Sequence, residues 1–342
     1  MSRVYLEHRD AAHVVTCSTP EQASACIEKA AAALAECDAW VVSAGAGMGV
    51  DSGLPAFRGT RSIWKDKALS MTYEEMSDDK WFAEDPAFAW GVNYTQLEMY
   101  RRTQPHAGYA VLRRWAETLG KPFYVFTSNI DGHFEKAGFE RSRIVTCHGD
   151  LHHLQCTDRS CGAEDRPSQV WAADAVPSGL GGGVDPDSLR FRSAEALEEP
   201  HFRCPRCGKL ARPNVWFCHD KTHVPRAEES ARRDAYNQWL WKLQEEKKRI
   251  VYVECGGGMD IPSVRIESED AVDGAGDGSL IIRLNPTDFK VPAAKAVGLP
   301  FGAKEGLERL DAALSRRLGG PGRGREPAAT RKGAPSPAPK RT

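Results

Sequence analysis

Ala39-Trp40-Val41-Val42 runs into Gly45-Ala46-Gly47-Met48-Gly49-Val50-Asp51-Ser52-Gly53-Leu54-Pro55-Ala56-Phe57-Arg58-Gly59, and the reading of this stretch decides the fold. An apolar run that ends in glycines is the pattern of a buried strand feeding a nucleotide-binding loop. Glycines there let backbone N–H groups approach a pyrophosphate, and a following helix N-terminus favours the anion. The strict dinucleotide fingerprint fails, because its third glycine falls on Val50. A Gly/Pro-rich connection that only turns the chain is the competing reading of these residues taken alone.

Outward from the loop, helical and strand-like segments alternate. Residues 21–37 are rich in alanine, carry Ile27 and Leu34 on a helical spacing, and lead into the strand. The design repeats from 106 to 119 with Val111, Leu112, Trp115 and Leu119, then Gly120 as a stop and a strand over 123–126. Ala231, Ala235, Trp239 and Leu243 recur every fourth residue and predict a helix before the apolar run 250–253. Leu280–Leu284 supplies another strand. Such alternation predicts an α/β fold with a Rossmann-like, mostly parallel sheet and with ligands at the carboxyl ends of its strands.

The interval 150–211 breaks the alternation and reads as a small zinc-binding module inserted in the sheet domain. The expected division is an N-terminal extension 1–20, a discontinuous nucleotide-binding domain 21–149 and 212–318, the inserted module 150–211, and a disordered basic Pro/Gly/Ala tail 319–342. Residues 267–278 read as an acidic, glycine-bearing loop whose spacing does not match a calcium-binding EF-hand.

Two cysteine pairs mark the inserted module. Four residues separate Cys156 from Cys161 and two separate Cys204 from Cys207, the second pair lying in the knuckle-like Cys204-Pro205-Arg206-Cys207-Gly208. Four thiolates close a tetrahedral shell around zinc and leave no position for water, so the expected metal is structural. His152 and His153 are the competing ligands nearby. The other six cysteines, at 17, 26, 37, 147, 218 and 255, are expected as reduced thiols, since a chain of 342 residues without a secretory signal has no need of disulfide staples.

Composition bounds the rest. A content of 41% hydrophobic and 27% charged residues suits a globular protein, and a net charge of −1 gives no bulk attraction to nucleic acid or to an anionic membrane. Arg3, Glu7, His8, Arg9 and Asp10 stand where a signal peptide needs an apolar core, so a cytoplasmic address is expected, with no membrane and no stable nucleic-acid partner.

Further blocks choose between the two readings of the glycine loop. Thr127-Ser128-Asn129-Ile130-Asp131-Gly132 follows the strand at 123–126, and Ile144-Val145-Thr146-Cys147-His148-Gly149 comes next. The cysteine pairs, Arg212-Pro213-Asn214-Val215-Trp216-Phe217 and Leu284-Asn285-Pro286 complete the series. In this order they resemble the sirtuins, over roughly residues 25–312. The resemblance implies an NAD-dependent protein-lysine deacylase, a deacetylase in the first instance, acting on acylated-lysine proteins or peptides. It implies His148 as general base toward a ribose hydroxyl, Asn129 holding the ribose and a water, and Asp131 holding the nicotinamide amide, these three forming the catalytic set. An imidazole suits the base because its ordinary pKa lies near working pH.

The cofactor contacts implied are Gly45, Ala46, Gly47, Ser128, Ile130, Gly256, Gly257 and Asn285, with Arg58 on the phosphates and Phe57 shielding the reacting carbon. Val215, Trp216 and Phe217, with the stretch around Ile261-Pro262, match segments that pair with the substrate peptide. A thiol-nucleophile role for Cys147 is disfavoured, because adjacent residues of a strand point to opposite faces. Departures from the family pattern fall at Gly49, Ala56, Ser128, His133-Phe134, Asp150, Cys218-His219-Asp220 and Gly256-Gly257-Gly258. Those at Ala56, Ser128 and the triple glycine keep open a non-catalytic NAD sensor or zinc-stapled interaction module; the other alternative is a mono-ADP-ribosyltransferase or NAD hydrolase on the same fold, against which the intact His148 favours deacylation.

Overall fold

A computed structural model describes residues 17, 19–55, 71, 73–162, 169–291 and 295–319. Thr19 and Gln22 exchange side-chain-to-backbone hydrogen bonds of 3.2 and 3.1 Å and start helix α1 (Pro20–Glu36) with a capping box. The chain then enters β1 (Ala39–Ala44). Helices α2 (Pro86–Arg102) and α3 (Ala107–Thr118) follow, then β2 (Phe123–Thr127), β3 (Ile144–Thr146), β4 (Gly149–Cys156), β5 (Val170–Ala172) and β6 (Ala211–Val215). Helix α4 (Ala227–Glu245), β7 (Ile250–Cys255), α5 (Ser263–Gly274), β8 (Leu280–Leu284), β9 (Ala296–Leu299) and α6 (Ala303–Arg317) complete the order.

Six strands form one sheet in the order β3-β2-β1-β7-β8-β9, each neighbouring pair parallel. Strand order runs outward from β1 in both directions, which makes the β1/β7 boundary the switch point where a crevice opens. Alternate residues of β1 serve opposite cores. Trp40, Val42 and Ala44 pack with α1, α3 and α6, whereas Ala39 and Val41 pack with α4 and α5. Burial on both faces is why these strands read as continuous apolar runs. Trp40 stacks on Phe123 at 5.2 Å and meets Trp115 edge-on at 6.2 Å, joining β1 to β2 and α3.

A second sheet, β5-β4-β6, is antiparallel. It packs with α2 in a separate core, where Trp90 contacts Phe202 and donates through Nε1 to the Ala211 carbonyl at 2.8 Å. This smaller core draws on residues 81–102 as well as on 149–217, a wider span of chain than the single stretch marked in the sequence.

Three sequence expectations need correction. Residues 267–274 are not a loop, only 275–278 being one: α5 runs through Gly274, and its acidic residues are in part buried partners, Glu269 accepting from Arg283 and Glu267 from Tyr236. Helix α4 exists, but Ala231 and Ala235 face solvent, while Glu229, Tyr236 and Leu243 form its buried line. A repeat of exactly four drifts around a helix of 3.6 residues per turn, whereas a spacing of seven stays on one face. Cys17 and Cys26 are not free thiols but form a disulfide that ties Cys17 to α1. Cys37, Cys147, Cys218 and Cys255 form no disulfide, as expected.

Candidate active site

The loops that leave β1, β2, β3, β7 and β8 meet at their carboxyl ends and wall a cavity of about 1240 Å³. This exceeds the roughly 300–1,000 Å³ typical of small-molecule sites and suits a dinucleotide with a second substrate beside it. Gly45, Ala46, Gly47, Ser128, Asn129, Ile130, His148, Gly256 and Asn285 line it, as do Val215, Trp216 and Phe217 from the smaller sheet. Asp131 and Gly257 sit behind the lining, buried. Phe57 and Arg58 lie outside the described residues, as does Ala56. A smaller cavity of about 450 Å³, between α2 and residues 181–189, holds none of the residues singled out in the sequence.

The glycines act differently from the way a phosphate loop predicts. Gly45 and Gly47 donate their N–H groups to the carbonyls of Cys255 and Gly256, each at 3.0 Å, so these donors are spent within the protein. What the missing side chains permit is contact of two backbones: a Cβ on Gly256, whose φ is +64°, would lie 2.3–2.4 Å from Gly47 and Met48 main-chain atoms. The segment after Gly45 is a short 3-10 helix, Ala46–Ser52.

His148 follows β3 and faces the cavity, with Nε2 3.2 Å from Ser263 Oγ at the start of α5. Burial lowers its pKa, outweighing a hydrogen bond between its ring and the Ser128 backbone, so the imidazole stands neutral and able to accept a proton at neutral pH. Its own carbonyl accepts the Trp216 N–H at 3.0 Å, which brings the 215–217 edge against the base. Cys147 packs instead against the core between the sheet and helices α4 and α5, and burial pushes its thiol up to about 12, which leaves it protonated and unreactive.

Asn129 donates its backbone N–H to Thr127 Oγ1 at 3.0 Å, while its side-chain Nδ2 is buried with no partner among the described residues. A buried amide left so is costly and calls for an acceptor from a bound molecule. Asp131 Oδ1 accepts the His133 N–H at 2.9 Å, and burial raises its pKa to about 6. With the close glycine backbones and the open volume, the residues present fit NAD.

Two departures from the sirtuin pattern acquire structural roles. Asp150, one residue into β4, binds Arg226 Nη2 at 2.6 Å and His153 Nδ1 at 2.7 Å. Burial opposes its charge, but these partners outweigh it and hold the carboxyl well below the usual range. The pair ties the strand after His148 to the residue that caps α4. Asp220 pairs with the buried Arg212 and accepts the Thr222 and His223 N–H groups at 2.7 and 3.0 Å, closing the turn after Phe217.

The four predicted cysteines converge. Sγ of Cys156 lies 3.6 Å from that of Cys207 and Cys161 Sγ lies 3.8 Å from Cys204, all four within 4.8 Å of one another. Zn–S bonds of about 2.3 Å in a tetrahedron require sulfurs about 3.8 Å apart, so the cluster fits zinc. The Asp158 N–H donates to Cys156 Sγ at 3.3 Å, and the turn at Cys204 is closed by Gly208 N–H to Cys204 carbonyl at 2.9 Å. His152 and His153 are engaged elsewhere, with the Asp131 carbonyl and with Asp150. Cys156 ends the strand that begins next to His148, so the metal braces β4 from its far end.

Sequence reasoning missed Val92, Asn93 and Gln96 of α2, and Ser263, Thr287 and Asp288, all on the cavity wall. Helix α2 is buried on nearly every side and so carries no amphipathic stripe to announce it.

Fold and site together define a class: a parallel α/β nucleotide-binding domain with a thiolate-stapled module leaning over the carboxyl ends of its strands. The Sir2 family profile matches residues 45–236, over half of the chain, and the protein belongs to that family. It is 25% identical over 287 residues to the NAD-dependent protein deacylase of Aquifex aeolicus, covering 82% of this chain and 98% of that one. It is 27% identical over 247 residues to a probable bifunctional ADP-ribose hydrolase/ADP-ribosyltransferase of Fusarium oxysporum f. sp. cubense, covering 70% of this chain but only 39% of that longer protein. Among solved structures, an ADP-ribose complex of a Sir2 homologue carrying a point substitution superposes with a TM-score of 0.60 at 22% identity, over 85% of this chain and 97% of that one.

Proposed function

We propose that the protein is an NAD-dependent protein-lysine deacylase acting on acetyl-lysine, which passes the acyl group to ADP-ribose and releases nicotinamide. The observation that carries this reading is that one cavity holds a half-buried neutral imidazole at His148, an Asn129 amide with no partner among the described residues, and the Val215 to Phe217 segment at the end of the edge strand β6. The Aquifex relative's name supports it.

Bound NAD supplies a labile ribose–nicotinamide bond. The protein's own groups do the rest. His148 Nε2, which now meets Ser263 Oγ, takes the proton of a ribose hydroxyl that replaces that contact. Asn129 Nδ2 donates to the ribose or to a water, and Asp131 accepts from the nicotinamide amide in its ionised form. Trp216, 57% exposed, offers the adjoining surface along which an extended peptide adds as a strand. Phe57 and Arg58 keep the roles the resemblance implies, covering the reacting carbon and holding phosphate. Zinc, held by Cys156, Cys161, Cys204 and Cys207, keeps the small sheet folded and takes no part in the chemistry.

No helix among the described residues is long and apolar enough to cross a membrane. A cytoplasmic setting, without membrane or stable nucleic-acid partners, is part of the proposal. Incubating the protein with NAD and an acetylated peptide mixture tests it. Nicotinamide and O-acetyl-ADP-ribose should form together, each dependent on peptide. The Fusarium relative's name favours a second reading, ADP-ribosyl transfer or hydrolysis. ADP-ribose attached to protein, or released equally with and without acyl peptide, would establish it instead.

A further inference from the structure

Three consecutive glycines, 256–258, carry the chain out of β7, and no glycine side chain can hold such a loop in one conformation. Arg265 of α5 holds it from beneath. Its guanidinium, 1% exposed, donates from Nε to the Gly257 carbonyl at 3.1 Å and from Nη2 to the Asp288 carbonyl. Asn285 Nδ2 donates to the same Gly257 oxygen at 3.0 Å, and Asn285 Oδ1 accepts the Thr287 and Asp288 N–H groups at 3.0 and 2.9 Å. One cation thus fastens together the loops that leave β7 and β8. Behind it, Arg283 grips Glu254 through bonds of 2.6 and 3.0 Å and Glu269 at 2.8 Å, while Ser268 Oγ donates to Glu254 at 2.7 Å. Two buried arginines therefore stand with two buried glutamates, and the layer is electrically balanced.

The consequence lies on the other side of the peptide plane. A trans peptide sets its C=O and N–H in opposite directions, and the described residues contain no cis bond. With the Gly257 carbonyl drawn inward by two donors, the Gly258 N–H turns outward to the cavity that Gly258 lines. A Cβ on Gly258 would meet nothing within 4 Å, so the approach to this N–H is open. Among the described residues it has no hydrogen-bond partner.

We infer that Arg265 is a positioning residue for the dinucleotide: by fixing the Gly257–Gly258 peptide it presents the Gly258 N–H to an oxygen of the diphosphate. The inference rests on the NAD reading above. It also accounts for the third glycine, since a backbone donor works at close range only where no side chain stands in the way.

The test is calorimetric titration of the full chain with ADP-ribose, which carries the diphosphate and cannot turn over. Hydrogen bonds to charged acceptors imply a loss of about 10-fold to 100-fold in affinity for Arg265→Met, with the KM for acetyl-peptide within about twofold of wild type. Arg265→Lys keeps the charge but cannot span both carbonyls, and should fall between the two. Gly258→Pro removes the N–H without touching the interior and should lose as much as Arg265→Met. The double variant should lose no more than either, because both delete one interaction. Unaltered ADP-ribose affinity in Arg265→Met, or equal loss of ADP-ribose and peptide affinity, overturns the inference while leaving the NAD reading intact. If Arg265→Met loses zinc or cooperative melting, Gly258→Pro decides alone, and affinity within twofold of wild type refutes the assignment. A wild type that binds no ADP-ribose overturns both readings.

Discussion

Asp131→Asn offers a direct measurement of what it costs to keep a carboxylate behind this site. The carboxyl is buried and accepts the His133 N–H at 2.9 Å, and burial lifts its pKa from 3.8 to about 6. A folded pKa above the unfolded value means that the fold binds the proton more tightly. The resulting stabilisation is fully present below about pH 4 and is lost as pH rises through about 6. At about 1.36 kcal/mol per pKa unit, the interval converts to roughly 3 kcal/mol.

Asparagine keeps the acceptor for His133 but has no charge to desolvate. The stability difference, Asp131→Asn minus wild type, should therefore move in the variant's favour by about that amount between pH 4 and pH 8. Most of the change should fall around pH 5 to 6. The absolute gain at pH 8 is smaller wherever the new amide N–H lacks an acceptor, at a cost of about 1–3 kcal/mol, so the pH difference is the diagnostic quantity. Urea unfolding followed by tryptophan fluorescence, at half-unit steps of pH, supplies the curve. A difference that stays flat from pH 4 to pH 8 would refute burial as the source of the raised pKa. Activity should fall in the variant above about pH 6 and converge on the wild type below it, since the role proposed for Asp131 toward nicotinamide needs the carboxylate.

Replacing His148 by alanine should leave NAD binding in place and lower deacylation about 10²-fold to 10⁴-fold, the usual cost of a lost general base; deacetylation at the wild-type rate would remove His148 from the mechanism. Elemental analysis should find one zinc per chain, and Cys204→Ser or a strong chelator should lower the melting temperature and the activity together; a zinc-free protein with unchanged melting would rule the site out. Gly256→Ala should destabilise the protein by more than about 2 kcal/mol in urea unfolding, because a left-handed backbone and a main-chain clash coincide there. Stability within 0.5 kcal/mol of wild type would show that the two glycine loops are not held in contact.

The one-dimensional pattern was enough to determine the parallel α/β core, the zinc cysteines and the residues at the strand ends. Strands buried on both faces must be apolar without interruption, chain direction places each strand's end at the same edge, and thiolate pairs need only short local spacing to reach one metal. Family resemblance then attached roles to His148, Asn129 and Asp131. The sequence could not disclose α2, whose all-round burial erases the helical period, nor the true buried line of α4, where a repeat of four imitated a face that belongs to a spacing of seven. It also read the acidic stretch of α5 as a solvated loop, because a buried Glu269 looks like an exposed one until Arg283, 14 positions away, is seen to meet it. Only tertiary structure decided that Gly45 and Gly47 spend their N–H groups on the neighbouring loop, that Asp150 anchors the strand beyond His148, and that Arg265 clamps the triple glycine. Each of these depends on where separate segments meet in space, and no local pattern of charge or hydrophobicity encodes such a meeting.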